Sequence, residues 1–369
     1  MSLALALVAS AAFAQSLTLP PSGDNQHAIV TQFIGPVKVT IDYNSPKVHQ
    51  PVTGEDRRGK IWGQLVPYGL TNLGFGTCKE CPWRAGANQN TTFAVSHPVK
   101  IEGQDLPAGT YGFFFIADPN EWTAIFSKNS TSWGSFFYDA AEDQLRVKVK
   151  PAKSEYNEWL TYEFTERQPD HATVAMKWED LEVPIHITVP NMEDVYLTAI
   201  KQELRNAPGF TWTNWNQAAR FALRSKRLDD AYEFAKNATD PTFGIGVENF
   251  PTLSTLADVQ EARNMPEAQT TRAKALAMGS AIEVHQYARQ LLQKGNKAEA
   301  VRVWKLNAKV HPNAWPVNVG LMRAYSAEGN YKEALKYAKL ALPQAPDPQN
   351  KKSLEDAIKK LQDGKDVNS

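Results

Sequence analysis

The feature that most constrains this chain is an internal period. Gly295, Ala300 and Pro312 recur 34 residues later as Gly329, Ala334 and Pro346, and Asn296 and Val301 recur as Asn330 and Leu335. A unit of that length accommodates two short antiparallel helices and one turn. It cannot bury its apolar face alone, so it must stack on its neighbours. The residue types suit such a unit. Gly295 and Gly329 stand where a first helix needs a left-handed residue to end. Ala300 and Ala334 are small enough for two helices to approach closely. Pro312 and Pro346 stop the second helix. The spacing predicts repeats over 281–314 and 315–348.

Period and residue identity together resemble the tetratricopeptide repeat, and the segment KLALPQAPD (339–347) is similar to that repeat's usual ending. A weaker unit starts near Trp212, with Ala218, Ala219, Ala222, Leu228, Ala231 and Ala235 at the small or apolar positions. Another runs over 249–280 with Leu253, Leu256, Val259 and Ala268. The charged stretch 350–362 (NKKSLEDAIKKLQ) suits a solvent-facing end cap. An unrelated helical bundle is the competing reading. The expectation for 191–366 is an all-α, tetratricopeptide-like solenoid, its first helix capped by Asn191.

The preceding stretch has a different character. Val37, Val39, Ile41 and Tyr43 alternate with Lys38, Thr40 and Asp42, the period of two of a strand with one buried face. The pattern recurs over 145–149, 160–164 and 181–189, with apolar runs at 111–117 and 122–126. Turn signals separate them, at 106–109, 118–120 and 168–170. Many short strands without helices predict an antiparallel all-β sandwich or open barrel over 27–190. The chain is therefore read as multidomain, which its 369 residues allow.

Residues 3–14 (LALALVASAAFA) are uncharged and apolar, too short to span a bilayer but suited to a secretory signal. Ala12-Phe13-Ala14 suggests cleavage before Gln15, although no Lys or Arg precedes the apolar run. A buried N-terminal helix is the alternative. Residues 1–14 are taken as a signal peptide and 15–26 as a linker, so the expected location is periplasmic or extracellular. No later segment predicts a transmembrane helix. Forty basic residues balance forty acidic ones, which gives no general attraction to nucleic acid.

Cys78 and Cys81 are the only cysteines. In an exported protein a disulfide stapling a loop is the simplest reading. A redox pair would open a helix in an α/β fold, and zinc would need two further ligands that no second cysteine pair supplies. His49 and His97 have no diagnostic spacing. No metal or cofactor is expected.

Unusual residues are densest between Tyr43 and Thr92. Tyr43, Arg58, Trp62, Trp83, Arg84 and Asn88 lie there among glycines. Arg offers a planar fork for carboxylate or phosphate, Trp a flat apolar face, and Asn an orienting amide. These six are the candidate ligand-binding residues, for a small anion, a sugar or a peptide. Trp can also close the end of a sandwich, and Arg can also tie loop carbonyls together. No GxSxG, HExxH or phosphate-binding loop motif occurs.

Around this cluster the chain resembles a bacterial family known as domain of unknown function 2911. The resemblance rests on Tyr43 to Pro46, Arg58-Gly59, Ile61 to Tyr68, Trp83 to Asn88, Leu106 to Tyr111, Trp122 to Phe126, Trp133-Gly134 and Leu145-Arg146-Val147. Residues 74–82, with both cysteines, look like an insertion. The resemblance implies export and association with helical repeats, and supplies no reaction. The leading expectation is a non-catalytic envelope protein, with a ligand-binding β domain and a protein partner on the repeats through Tyr287, Asn318, Met322 and Tyr325. The rival is a hydrolase acting on an envelope polymer through the loop cluster.

Overall fold

The structure, a computed structural model, describes residues 25–368. The expected signal peptide and most of the expected linker lie outside the described residues. The chain divides into two compact units between Tyr196 and Leu197.

The first unit is built on two antiparallel sheets. The larger contains β1 (Gln26–Ile34), β2 (Val37–Ser45), β3 (Thr92–Val95), β6 (Gly109–Ile116), β7 (Trp122–Ser127) and β8 (Asp143–Val149), side by side in that order. The smaller contains β4 (Val99–Ile101), β5 (Gln104–Leu106), β9 (Ala152–Arg167) and β10 (His171–Thr188), in the order β5-β4-β10-β9. In β2 the alternation does what the sequence implies: Val37, Val39, Ile41 and Tyr43 are buried, while Lys38 is exposed. Gln26, placed in the linker by sequence, already belongs to β1. That strand pairs along its whole length with β2, from Gln26 opposite Ser45 to Ile34 opposite Val37.

The facing sheets share one core, so the architecture is a sandwich. Phe93, Phe113, Phe115, Trp122 and Phe126 of the larger sheet meet Leu160, Tyr162, Phe164, Met176, Trp178 and Ile185 of the smaller. Burying each such aromatic stabilises the fold by about 1.5–3 kcal/mol relative to leaving it exposed. β9 and β10 form a long hairpin with register shifts around Glu179. Glu179 adopts φ +57° and is buried. Its carboxylate accepts a hydrogen bond from the Gly59 N–H.

The second unit is helical. α1 (Met192–Glu203) spans the division between units. Four helix pairs follow it: α2 (Trp212–Arg224) with α3 (Leu228–Thr239), α4 (Phe250–Ala262) with α5 (Ala268–Met278), α6 (Ala281–Gln293) with α7 (Lys297–Val310), and α8 (Trp315–Ala327) with α9 (Tyr331–Ala341). α10 (Pro348–Gln362) ends the series. The period has its physical basis at the turns. Gly295 and Gly329 have φ +82° and +78°. The following N–H groups, of Asn296 and Asn330, donate to Leu291 O and Tyr325 O, each at 2.9 Å, closing the first helix of each pair. Ala300 and Ala334 are fully buried where the helices cross. Ser280 and Glu283 form a capping box at the start of α6. Among the described residues no helix is long and apolar enough to cross a membrane.

Candidate functional site

The site is organised by residues 81–91. Cys81 and Thr71 exchange backbone hydrogen bonds at 2.9 and 3.1 Å, and Trp83 does the same with Phe115 at 2.8 Å. The chain then turns sharply: Ala85 and Asn88 hold φ +52° and +55°, uncommon for residues with a Cβ. Neighbours pin this turn in place. Tyr162 Oη and Thr91 Oγ1 donate to Ala85 O at 2.8 and 3.1 Å, and Ala87 N–H donates to Asn44 O at 3.0 Å. Gly86 is required here, because a Cβ would lie 2.7 Å from Thr91 Oγ1.

This turn forms one wall of a pocket of about 420 Å³. Trp83, Arg84 and Asn88 line it together with Arg57, Ser135 and Trp178. Arg84 donates from Nη1 to Asn88 O at 2.7 Å, and its guanidinium lies over the Phe136 ring, 5.3 Å from the centroid. Burial lowers its pKa. Arg57 donates to Val48 O and Lys47 O at 3.0 and 2.6 Å. Neither arginine has a carboxylate partner among the described residues. No Asp or Glu is among the described residues lining the pocket. Nε and Nη2 of Arg84, and Nη1 of Arg57, keep their donor capacity.

Three of the six sequence candidates lie elsewhere. Arg58 is exposed and forks onto Asp56, at 2.6 Å for the closest contact, which raises the guanidinium pKa and lowers that of Asp56 to about 2. Arg57 opens a turn that the Lys60 N–H closes by donating to Arg57 O at 2.9 Å, and it lines the pocket in place of Arg58. Tyr43 is buried behind the pocket, packed edge-on against Tyr162 at 4.9 Å, and burial raises its pKa. Its role is to support the ring that holds Ala85. Trp62 packs against Trp83, Trp122 and Trp178 at 5.9, 5.2 and 5.6 Å, within an indole cluster beneath the site.

Residues 25–187 match the family model described as a protein of unknown function, DUF2911. The match takes in both sheets, the 81–91 turn and all the pocket-lining residues. No curated protein matches the chain. Among solved structures, a thermophilic TPR protein of Thermus thermophilus is 19% identical, covering 45% of this chain and 91% of its own, with a TM-score of 0.29. A likeness that slight bears on neither fold nor partner.

Within the matched residues Cys78 and Cys81 are joined, with Cα atoms 5.6 Å apart. Cys78 N–H donates to Phe136 O at 3.0 Å, and Cys81 lines the pocket, so the bridge fixes the loop leading to Trp83. Sequence reasoning missed Arg57, Ser135 and Trp178. The last two come from distant segments, and only the folded hairpin and loops bring them here.

The four helical candidates do not form one surface. Asn318 is buried and donates to Gln344 Oε1 at 2.9 Å. Tyr325 stacks on Tyr337 at 5.5 Å. Tyr287 lies under the Arg272 guanidinium, 5.1 Å away, and lines a groove with Trp212, Asn216 and Ser254. Met322 lines a separate pocket with His285 and Arg323.

Proposed function

We propose that this is an exported envelope protein whose β domain binds a small organic anion, and whose helical unit docks a protein partner. One observation carries the ligand assignment: two guanidinium groups, Arg57 and Arg84, line a pocket whose described lining contains no carboxylate. An arginine without a paired anion is costly to desolvate, and a planar carboxylate or phosphate satisfies its free donors in pairs. Trp83 and Trp178 add flat apolar walls. The volume suits a ligand the size of an amino acid derivative or a sugar acid.

The hydrolase reading finds no support in this pocket. Among the described lining residues no His, Asp or Glu stands beside the hydroxyls of Ser135 and Thr71 to act as general base. Thermal-shift measurements with acetylated amino acids, uronic acids and sugar phosphates, set against neutral sugars, test the proposal. An organic anion at 100 times its Kd should stabilise the domain by about 2.7 kcal/mol, and Arg84→Met should remove the effect. Stabilisation by neutral sugars alone, or an unchanged response in the variant, overturns the assignment.

A further inference from the structure

Two loops beside the arginine pocket are apolar where loops are ordinarily polar. Residues 61–77 and 129–138 contain no Asp, Glu, Lys or Arg, in a chain that is 22% charged. They present Phe75, Trp133 and Phe137 at 64, 56 and 51% exposure. Single exposed apolar side chains are ordinary, but a contiguous patch of them marks a binding surface. Here the rings touch. Phe75 packs edge-on against Phe136 and Phe137, with centroids 5.5 and 5.9 Å away. The loops are also fixed to one another. Gly74 and Gly76 flank Phe75 at φ +74° and +76°, and the Cys78 N–H donates to Phe136 O at 3.0 Å. Phe75 is thus held out towards water rather than folded into the core.

This apolar surface runs into the pocket. Phe136 carries the Arg84 guanidinium over its ring, and Ser135 of the same loop lines the pocket. Leu65 and Leu73 line it too, with their side chains still exposed. Arg57 and Arg84 are the only charged residues among the described lining. Two guanidinium forks therefore stand beside a bare apolar ledge. A sugar acid satisfies the forks alone, because hydroxyls laid on Leu73 and Phe75 would lose water and gain no hydrogen bond. We infer that the ligand is an amphiphilic carboxylate, its anionic end held by Arg57 and Arg84 and an aliphatic or aromatic group laid across Leu73 and Phe75. The inference rests on the reading that the β domain binds an organic anion, and it names the class of anion.

Isothermal titration calorimetry on the full chain tests this. Along acetate, butyrate, hexanoate and octanoate, each methylene laid on the ledge should tighten binding about two- to fourfold. Acetylphenylalanine should bind about tenfold more tightly than acetylglycine. Its amide should not bind, since the forks need the carboxylate. Phe75→Ser alters an exposed ring outside the described lining, so acetylglycine binding should persist while the advantage of acetylphenylalanine falls to about threefold or less. Phe137→Ser repeats the test on the second ring. An affinity indifferent to chain length, or an advantage that survives in both variants, overturns the amphiphile and leaves the anion site standing. Failure of every carboxylate to bind, acetylglycine and glucuronate included, defeats the anion site itself. Sedimentation with phosphatidylglycerol vesicles that Phe75→Ser abolishes, without chain-length dependence in solution, overturns the inference in favour of a membrane surface.

Discussion

Replacing Arg84 with Met separates a binding role from a structural one. The substitution keeps an unbranched apolar stem and removes the fork. It deletes the charge-assisted hydrogen bond to Asn88 O and the contact with Phe136. The first is worth about 1.5–3 kcal/mol and the second about 0.5–1 kcal/mol. Against this stands the relief of a half-buried guanidinium without a carboxylate partner among the described residues, whose desolvation already lowers its pKa. The net loss should be about 1–2 kcal/mol, or a fall of about 2–8 °C in thermal midpoint for a domain of this size. Calorimetry and denaturant titration of Arg84→Met against the parent chain, with and without a stabilising anion, give the answer. The companion Arg58→Ala should leave both the midpoint and the anion response unchanged, because its ion pair with Asp56 faces water. A loss above about 4 kcal/mol in Arg84→Met would place it among the supports of the fold, as breaking a buried pair does. An anion response that survives the substitution would refute the site.

Gly134→Ala should abolish anion binding, since the new Cβ would lie 2.4 Å from Arg84 Cζ and Gly134 holds φ +65°; a retained thermal shift would contradict this. His285 has a pKa lowered to about 4, by burial and then by Arg323 and Arg289. Between about pH 6.5 and 4 the unfolded chain binds one more proton than the native one, so stability is present at neutral pH and falls on acidification, by about 3 kcal/mol. His285→Leu should flatten that part of the denaturation profile relative to the parent. Reduction of Cys78–Cys81 should cost no more than about 1–2 kcal/mol, since so short a loop holds little chain entropy, and thiol titration of the unfolded, unreduced chain should find no free thiol. Protein recovered from the periplasm or medium should begin at Gln15 on N-terminal sequencing; an intact Met1 there would count against cleavage at that position.

What was legible in the sequence follows from how local each signal is. The helix pairs around Gly295 and Gly329 were readable because a positive φ, a small crossing residue and a terminating proline are all written within one repeat. β2 was readable because Val37, Val39 and Ile41 alternate with polar residues. β1 was not, because Ile29 and Phe33 put apolar side chains on its exposed side and erase the alternation. The pocket was half-readable. Trp83, Arg84 and Asn88 sit on one short turn, and that turn does line the site. Whether Arg57 or Arg58 faces inward is decided by two backbone bridges, one between Lys47 and Trp159 of β9 and one that closes the loop between His49 and Asp56. No local pattern records that pairing. Trp178 reaches the pocket through the long β9–β10 hairpin, whose register shifts no alternation rule anticipates.

The turn that carries Arg84 also explains why the site is rigid. Ala85 in the left-handed region costs about 1–2 kcal/mol, and Asn88 bears a smaller share because its side chain tolerates that region. Such strain persists only where surrounding contacts over-determine it. Those contacts are present: Tyr162, Thr91 and Asn44 each bond the turn's backbone, and Tyr43 packs behind Tyr162. Tyr162 is fully enclosed, and burial holds its pKa well above the ordinary value, so its hydroxyl stays a donor. The residues that sequence reading assigned to the ligand therefore divide into two kinds of work. Arg84 and Asn88 present the site, and Tyr43 reaches it only through the Tyr162 hydroxyl. A guanidinium fixed in advance in this way loses little side-chain entropy when an anion arrives, which is where preorganisation raises affinity.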